Sequence, residues 1–363
     1  MKGWHKRKLN EVCELINGRA YSKPELLSDG KYPVLRVGNF FTNNHWYYSD
    51  LELEERKYCD TGDLLYAWSA SFGPRIWTGG KVIFHYHIWK VAPDPLLIDK
   101  KFLFHFLSWD TEKIKIDQGA GTTMIHVSKS SMDERDILLP PLPEQHRIVA
   151  ILDTAFDHIA TARANCEANL LNARAIFESH LQAVFTQRGD GWVVKSFDEV
   201  LVIKNGKDQK PVEKKGGKYP IYGSAGNVMG WTDAFICDEQ TTIIGRKGTI
   251  NKPLFIETKF WNVDTAFGLA AKPNLNAKFL YFFCLSYDFS AHNRGTTIPS
   301  LVKTDLLNIK ISIPSINAQE ALLVKFSALH KETQRLESLY QRKLQALDDL
   351  KKSLLHQAFS GLL

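Results

Sequence analysis

The sequence predicts an α+β fold with two mixed-sheet domains, which two long antiparallel helices separate as a coiled coil. Two long stretches lack proline and glycine and carry apolar residues at alternating steps of four and three, the spacing of a helix with a buried seam. Elsewhere, short apolar runs are bounded by turn residues, the pattern of β-strands. Residue pairs of the first half recur in the second, which predicts an internal repeat with pseudo-twofold symmetry.

The first long helix is predicted to follow Pro143, because neither proline nor glycine occurs again before Gly189. Proline is favoured at the first helical position and glycine just beyond the last. From Glu144 to Thr186 such a helix would be about 64 Å long at about 1.5 Å per residue. Its apolar seam comprises Leu152, Phe156, Ile159, Leu170 and Phe177. A helix of this length cannot bury its seam alone, so it needs a partner.

The partner is predicted at the end of the chain, from Asn317 to Gly361. Asn317 and Glu320 have the spacing of a capping box, and Gly361 marks the end of the helix. The seam of this second helix comprises Leu322, Phe326, Leu329, Leu336, Tyr340, Leu347 and Leu354. Because the second helix must return along the first to bury both seams, the pair is predicted to be antiparallel, with one domain at each end.

The internal repeat is visible as matched residue pairs. Asn17-Gly18 recurs as Asn205-Gly206, 188 positions later, and Gly121-Thr122-Thr123 recurs as Gly295-Thr296-Thr297, 174 positions later. The second copy has therefore lost 14 residues from its middle, the difference between 188 and 174. Since the ends match while the middles diverge, one scaffold is predicted to present two different binding surfaces.

Within each copy, the local pattern predicts strands and one compact helix. The predicted strands include Tyr32–Val37, Asp63–Tyr66, Lys81–Phe84 and Thr241–Ile244, all short and flanked by turn residues. The predicted compact helices are Lys100–Trp109 and Ala277–Ser286. Each copy is therefore an α+β domain with a mixed sheet.

Composition limits the classes of protein that this chain can be. With 363 residues and 44% hydrophobic content, it has room for two or three globular domains. No uncharged apolar run is long enough to cross a bilayer, so a cytoplasmic protein without a membrane partner is predicted. Five scattered cysteines without a CxxC pair argue against a disulfide framework and a zinc site. The net charge of +6 is compatible with a nucleic-acid partner without requiring one.

The sequence contains none of the common catalytic motifs, so no catalytic and no metal-binding residue is predicted. The sequence lacks a Walker A loop, a GxGxxG fingerprint, HExxH and GxSxG. Pro93-Asp94 followed by Asp99 and Lys101 loosely resembles a nuclease core, but the repeated segment has no acidic residue there. His85 and His87 would share one face of a strand, yet no third metal ligand accompanies them.

Several loops have residues suited to binding DNA. The two Gly-Thr-Thr segments offer hydroxyls and backbone N–H groups to phosphate oxygens, although structural turns of this composition are also common. Arg75, Arg246 and Lys247 follow predicted strands and are candidates to contact guanine edges or phosphates, with solvated surface charge as the alternative. The full set of candidate DNA-binding residues is Arg36, Asn39, Ser69, Arg75, Gly121, Thr122, Thr123, Asn205, Lys207, Lys210, Arg246, Lys247, Gly295, Thr296 and Thr297.

Taken together, the chain resembles the specificity (S) subunit of type I restriction-modification systems over essentially its whole length. The resemblance is carried by Leu139–Val149 (LPPLPEQHRIV), by the Tyr32-Pro33 and Tyr219-Pro220 pairs, and by the closing Leu354–Gly361 (LLHQAFSG). The start of the second helix, Ile313–Glu320, departs from the first because it keeps one proline instead of three.

The resemblance implies the domain organisation and the partners. In that family each domain is a target recognition domain that reads one half of a bipartite, asymmetric site in double-stranded DNA, and the paired helices fix the spacer. The implied domains are target recognition domain 1 (1–139), the central helix (140–188), target recognition domain 2 (189–314) and the C-terminal helix (315–363). Two modification (M) subunits and restriction (R) subunits are the implied partners. S-adenosylmethionine, ATP and Mg are expected on those partners, with no cofactor on this chain.

Two alternatives stay open at the level of sequence. The chain would also suit a coiled-coil protein-interaction scaffold that does not bind DNA, and the modest net charge is compatible with that interpretation. A specificity subunit that serves a methylation-only or another phage-defence assembly would have the same sequence features.

Overall fold

The computed structural model describes residues 3–41, 44–69, 72–117, 127–187, 189 and 191–363. The chain forms two compact units: unit 1 comprises Met1–Asn165 and Leu344–Leu363, and unit 2 comprises Cys166–Lys343. Both units combine sheets with helices, and each includes part of both long helices, so the predicted α+β fold class is confirmed.

Unit 1 consists mainly of short strands, with three α-helices before the first long helix begins in the residues that the structure describes. The strands are β1 (His5–Lys8), β2 (Cys13–Asn17), β3 (Tyr32–Leu35), β4 (Tyr47–Ser49), β5 (Tyr58–Cys59), β6 (Leu64–Ala67), β7 (Gly73–Ile76), β8 (Val82–Phe84), β9 (Ile88–Pro93) and β10 (Asp136–Leu139). The helices are α1 (Val37–Phe41), α2 (Lys100–Asp117), α3 (Lys129–Asp133) and the long α4 (Leu142–Gln187), which continues into unit 2.

The elements of unit 2 follow a similar order, but its first short α-helix lies between the first two strands and it has one strand fewer than unit 1 in the described residues. The strands are β11 (Val193–Ser196), β12 (Leu201–Asn205), β13 (Tyr219–Tyr222), β14 (Val228–Thr232), β15 (Thr241–Gly245), β16 (Leu254–Ile256), β17 (Trp261–Asn262), β18 (Ala266–Ala271) and β19 (Lys310–Ile313). The helices are α5 (Phe197–Val200), α6 (Ala277–Ser286), α7 (Lys303–Leu307) and the long α8 (Ile316–Phe359), which returns into unit 1.

The two units repeat one sheet topology. A four-stranded antiparallel sheet has the order β2-β9-β6-β7 in unit 1 and β12-β18-β15-β16 in unit 2. A second sheet has the order β4-β3-β8-β5 in unit 1 and β14-β13-β17 in unit 2, and each contains one parallel pair, β3 with β8 and β13 with β17. A two-stranded ribbon joins β1 to β10 and β11 to β19. The repeat that the sequence predicts is therefore present in the hydrogen-bonding pattern.

The largest buried cluster of each unit lies between the four-stranded sheet and the helices. In unit 1, Phe102 and Phe106 of α2 pack with Leu152 of α4 and Phe359 of α8. In unit 2, Phe279 and Phe283 of α6 pack with Phe177 and Leu181 of α4 and Phe326 of α8. Burying side chains of this size contributes about 1.5–3 kcal/mol each relative to exposure. The long helices are thus part of the core of each unit.

Within each unit the two long helices run antiparallel. In unit 1, the guanidinium of Arg163 lies 2.6 Å from the carboxylate of Asp348, and Arg147 donates to the carbonyl of Leu363. In unit 2, Arg174 lies 2.9 Å from Glu337, and the ring of Phe185 packs against Phe326. As the residue number rises along α4, the number of the contacting residue on α8 decreases, so the two helices are antiparallel.

The start of the second long helix differs from the prediction. The helix begins at Ile316, so Asn317 lies inside its first turn and the predicted capping box with Glu320 is wrong. Ser315 supplies the cap instead, because its hydroxyl accepts a hydrogen bond from the Ala318 N–H at 3.4 Å. At the other end Gly361 adopts a φ of 73°, the left-handed conformation that closes many helices.

A buried glutamine fastens each long helix to the domain that precedes it. Gln145, at 0% exposure, accepts from the Asp99 N–H at 2.8 Å and donates to the carbonyls of Leu97 and Pro140 at 2.9 and 2.8 Å.

The second copy repeats these three bonds. Gln319, also at 0% exposure, accepts from the Asn276 N–H at 2.8 Å and donates to the carbonyls of Asn274 and Pro314 at 3.2 and 2.9 Å. Because all hydrogen-bonding groups of a buried amide must be paired, both glutamines fix the position of a helix start.

Candidate nucleic-acid interface

A four-residue turn in unit 2, Val263–Ala266, brings two of the predicted cationic segments together. On one side, the N–H of Lys207 donates to the carbonyl of Asn262 at 3.0 Å. On the other side, the N–H groups of Arg246 and Lys247 both donate to the carbonyl of Thr265, at 2.8 and 3.1 Å. The residues are far apart in sequence, so the sheet creates this cationic site.

The loop that contains Gly295-Thr296-Thr297 lies beside the same site. The carbonyl of Arg246 accepts from the Leu301 N–H at 2.8 Å, and the Gly248 N–H donates to the carbonyl of Pro299 at 2.9 Å. A side chain at Gly295 would place its Cβ 1.8 Å from the carbonyl oxygen of Ile298, so only glycine fits there. The tight loop leaves Thr296 and Thr297 exposed next to the cations.

The side chain of Asn293 holds this loop in shape. Its Oδ1 accepts hydrogen bonds from the N–H groups of Gly295 and Ser300, both at 2.8 Å, and its Nδ2 donates to the carbonyl of Gly295 at 3.0 Å. The adjacent Arg294 forms a salt bridge with Asp305 at 2.8 Å, and this hydrogen bond raises the pKa of the guanidinium. The loop is thus pre-organised by its own side chains.

Several cations at this site have no acidic partner. Among the residues that the structure describes, Lys207 and Lys247 form no salt bridge, and both side chains are exposed. Arg246 donates to the backbone carbonyl of Asp264 at 3.3 Å and lies over the ring of Phe267. Uncompensated cations beside exposed hydroxyls form a surface suited to phosphate oxygens.

Unit 1 has the equivalent turn at His85–Ile88, but its surroundings are aromatic. The Trp68 N–H donates to the carbonyl of His87 at 3.0 Å, as Arg246 does to Thr265 in unit 2. The indole N–H of Trp68 also donates to the carbonyl of Tyr86 at 2.8 Å, and Tyr86 is 39% exposed. Trp68 and Tyr86 are not among the site residues that the sequence predicts. The backbone hydrogen bonds align Trp68 with Arg246 at an offset of 178, which differs from the offsets of 188 and 174 in the matched residue pairs.

Two of the predicted residues of unit 1 lie near this turn. Ser69 directly follows Trp68 and is buried. Arg36 is exposed, and its guanidinium lies over the ring of Tyr47 at 5.2 Å. Its positive charge also contributes to lowering the pKa of His85. Burial, the neighbouring His87 and the charge of Arg36 together lower the pKa of His85 to about 4, so its imidazole is neutral near pH 7.

Other predicted residues do not join these sites. The guanidinium of Arg75 donates to the carbonyl of Phe40, and the amide of Asn39 donates to the carbonyl of His45 at 2.7 Å. Asn205 ends β12 and is exposed, and Lys210 lies in the loop that follows it. Gly121, Thr122 and Thr123 fall outside the described residues, so their DNA-binding role stays a prediction.

The predicted seam residues lie where the long helices pack. Leu152, Ile159, Phe177 and Phe326 are buried. Half-buried positions are Phe156, Leu170, Leu322, Leu329, Leu336, Tyr340, Leu347 and Leu354. The α4–α8 pair therefore shields its apolar face only in part along its length.

The weak catalytic and metal motifs have structural explanations. Asp94 and Asp99 cap local turns, because their carboxylates accept backbone N–H groups, of Leu96 and Phe102 respectively, at 2.9 Å. His85 and His87 lie in a turn and not on a strand, with ring centroids 4.9 Å apart. Over the described ranges, no group of three or more His, Cys, Asp or Glu side chains is placed to hold a metal ion. In the same part of the chain, no helix combines the length and apolarity of a membrane span.

A family profile described as the type I restriction modification DNA specificity domain matches residues 1–168 and again 189–345. The chain belongs to this family. The two matches cover one copy of the repeat each, which explains why two units share one topology.

Relatives of known function are similar at low identity. The chain is 24% identical over 203 residues to the type I restriction enzyme EcoBI specificity subunit of Escherichia coli, over 55% of this chain and 42% of that protein. It is 23% identical over 338 residues to the MjaVIII specificity subunit of Methanocaldococcus jannaschii, over 82% of this chain and 78% of that protein. The chain thus spans less than half the length of the Escherichia coli relative.

Solved structures share the fold. A chain of a structure described as the basis of complex assembly and conformational transition of the type I R-M system superposes with a TM-score of 0.84 at 17% identity, covering 100% of this chain and 99% of that one. The HsdS subunit from Thermoanaerobacter tengcongensis superposes with a TM-score of 0.60 at 17% identity, covering 100% and 98%.

Proposed function

We propose that this chain is the DNA-binding specificity subunit of a type I restriction-modification complex, and that each unit reads one half of a bipartite, asymmetric target. The observation that carries the proposal is the cationic site of unit 2, where Lys207, Arg246 and Lys247 meet at one turn beside the Gly295–Thr297 loop. Its counterpart in unit 1 has the same backbone and different side chains. Two sites of this kind suit two unlike half-sites.

In this proposal the chain contributes binding and register, while partners perform the chemistry. Phosphate contacts from exposed cations and hydroxyls position each unit, and contacts to base edges select the sequence. Modification (M) subunits with S-adenosylmethionine and restriction (R) subunits with ATP and Mg would dock on this chain, which itself has no catalytic role. The similarity to the EcoBI and MjaVIII specificity subunits supports this assignment.

The test is the salt dependence of DNA binding by the purified complex of this chain with its methyltransferase partner. Each phosphate contact adds about −0.9 to the slope of log affinity against log salt. Replacing Arg246 and Lys247 together by Ala removes two cations, so we expect the magnitude of this slope to decrease by about 1.8.

The matched control replaces Arg342 and Lys343 by Ala, because this is an exposed Arg-Lys pair of unit 2 that lies on α8. We expect the control to keep the wild-type slope. A wild-type complex whose DNA affinity does not respond to salt would refute the proposal and favour the protein-interaction scaffold.

The role of the helices is testable in the same complex. Deleting four residues from the middle of α4 should change the preferred spacer and leave both half-sites unchanged. Methylation mapping in a host that carries the variant measures both properties. Altered half-site bases at the original spacing would contradict the proposed role of the helices as a ruler.

A further inference from the structure

The turn Val263–Ala266 in unit 2 and the turn His85–Ile88 in unit 1 share the backbone hydrogen bonds that close them and tie them to the neighbouring strand. In unit 2 the Ala266 N–H donates to the carbonyl of Val263 at 3.0 Å, and the Val263 N–H donates to Tyr222 at 3.1 Å. The corresponding bonds of unit 1 join Ile88 to His85 at 2.9 Å and His85 to Leu35 at 2.9 Å. Both copies therefore present their two central residues in the same way.

A glycine contact on the neighbouring segment holds the turn in each unit. The Gly206 N–H donates to the carbonyl of Ala266 at 3.2 Å, and the Gly18 N–H donates to Ile88 at 3.2 Å. A Cβ on Gly206 would lie 1.8 Å from the Val263 carbonyl oxygen, and a Cβ on Gly18 would lie 2.3 Å from that of His85. Glycine is required in both places because the two backbones approach this closely.

The central side chains of the turn differ between the copies. Asp264 and Thr265 occupy it in unit 2, whereas Tyr86 and His87 occupy it in unit 1. The turn backbone holds its two central residues in the same position in both units, while their side chains differ. This arrangement suits a site that selects different bases in each unit.

Asp264 is unusual because it is an exposed carboxylate amid cations. Its side chain makes no hydrogen bond or salt bridge within the described ranges, although Lys207, Arg246 and Lys247 are held on either side of its turn. A carboxylate repels phosphate, so it weakens a surface that binds only the DNA backbone. Toward a base edge the same group is an acceptor for an exocyclic amino group.

We propose that this turn carries the base-reading side chains of each unit, and that Asp264 accepts a hydrogen bond from the exocyclic amino group of a cytosine or an adenine. In unit 1, Tyr86 takes the same position and offers a hydroxyl that can donate to a base acceptor. This inference rests on the proposed function and assigns the residues that make the two half-sites different.

The first experiment exchanges the tip of the turn. The full chain with Asp264→Tyr and Thr265→His, in complex with its methyltransferase partner, is incubated with a library of random duplexes, and the bound duplexes are sequenced. We expect altered preference at one or two adjacent base pairs of one half-site. The other half-site and the spacer should stay as in the wild type.

The second experiment keeps the shape but removes the charge and replaces one acceptor oxygen of the carboxylate by an NH2 donor. Asp264→Asn should reduce discrimination at one base pair on the order of 10- to 100-fold, the size of one good base contact. The base preferred by the wild type at that pair distinguishes cytosine from adenine. Glu239→Gln is the matched control, because it removes an exposed carboxylate of unit 2 outside the turn, and it should leave the preference unchanged.

The outcomes separate this inference from the proposed function. If Asp264→Asn strengthens binding to every duplex equally and leaves all base preferences intact, Asp264 only opposes phosphates and the inference is overturned. If the wild-type complex selects no duplex at all, the proposed function has already failed before any variant is compared.

Discussion

The two units hold the start of a long helix by the same glutamine hydrogen bonds, but the next turns of that helix make different contacts with the compact helix. In unit 1, Asp153 of α4 lies 2.6 Å from Lys101 Nζ and 2.8 Å from His105 Nε2 of α2. The repeat places Ser327 where unit 1 has Asp153, and Phe282 where it has His105. Among the described residues, a charged contact between the compact helix and the long helix that follows it is therefore found in unit 1 and not in unit 2.

Without that contact, unit 2 has an open groove at the same place. The groove has a volume of about 700 Å³, and its lining includes Lys278, Ser327 and His330. Lys278, the counterpart of Lys101, turns to Glu257 at 3.0 Å instead. Both units therefore use a buried glutamine amide to fix the start of a long helix, whereas, over the described part of the chain, the charged contact of Asp153 with Lys101 and His105 is specific to unit 1.

The largest expected effect concerns these buried glutamines. Gln145→Met and Gln319→Met each leave one N–H and two carbonyls without a partner in a buried site, so we expect a loss of about 3 kcal/mol or more in the free energy of unfolding of that unit. Hydrogen exchange measured by mass spectrometry reports the two units separately.

The control for these variants is Gln345→Met, because Gln345 is exposed on α8 and bonds only to Asp349 along the same helix. It should cost little. A large loss for one buried glutamine and none for the other would break the equivalence of the two glutamines.

An intermediate effect is expected from the charged contact of unit 1, as a dependence on pH. Burial lowers the pKa of His105 below 6.5, and the hydrogen bond that its ring donates to Asp153 offsets this only in part. The unfolded chain therefore takes up the proton at higher pH than the folded chain. The contribution of neutral His105 to the free energy of unfolding is fully present above pH 6.5, and it is lost as the pH drops below that value. The slope cannot exceed about 1.4 kcal/mol per pH unit for one proton.

The variant His105→Phe introduces the side chain that unit 2 carries and should flatten this slope between pH 7 and pH 5. Burial raises the pKa of Asp153, but hydrogen bonds from Lys101 and His105 outweigh it, and the net pKa lies below 3.8. Its contribution is therefore lost only at lower pH. Denaturant unfolding across this range provides the measurement, with the exposed His158→Phe as the control; an unchanged slope in His105→Phe would show that another group titrates.

The smallest effect on stability is expected from the surface ion pairs between the long helices, which both units have. Arg174→Ala removes the pair with Glu337, which is 46% exposed on the arginine side, so we expect a change of about 0.2–1 kcal/mol that shrinks at high salt. Denaturant unfolding of unit 2 at low and high salt tests this. A loss as large as that of Gln319→Met would mean that the ion pair is not merely a surface contact.

Much of the fold follows from residues that the sequence displays. The sequence predicts the first long helix from Glu144 to Thr186, and the helix spans Leu142–Gln187. The agreement is close because the absence of proline and glycine and the four–three spacing act locally. The helix Ala277–Ser286 has the predicted bounds, whereas the first compact helix runs to Asp117 instead of Trp109. Helix ends depend on caps and packing, as the Ser315 cap also shows.

The candidate sites were predictable only in part. Cationic and threonine-rich loops were recognisable in unit 2 because charge is visible in a sequence, and Lys207, Arg246 and Lys247 do meet at one turn. Trp68 and Tyr86 were not recognised, since an aromatic residue beside a strand usually indicates core packing. Arg75 had the right residue type, but its guanidinium satisfies the carbonyl of Phe40.

By itself, the sequence determined the two copies, the two long helices and the family, because periodicity and repetition are properties of the chain. The tertiary structure decided which side chains share a surface: it placed Asp264 between Lys207 and Arg246, and Tyr86 beside Trp68. The physical reason is that sheet hydrogen bonds join segments from distant parts of the chain. No local pattern records which segments those bonds will bring together.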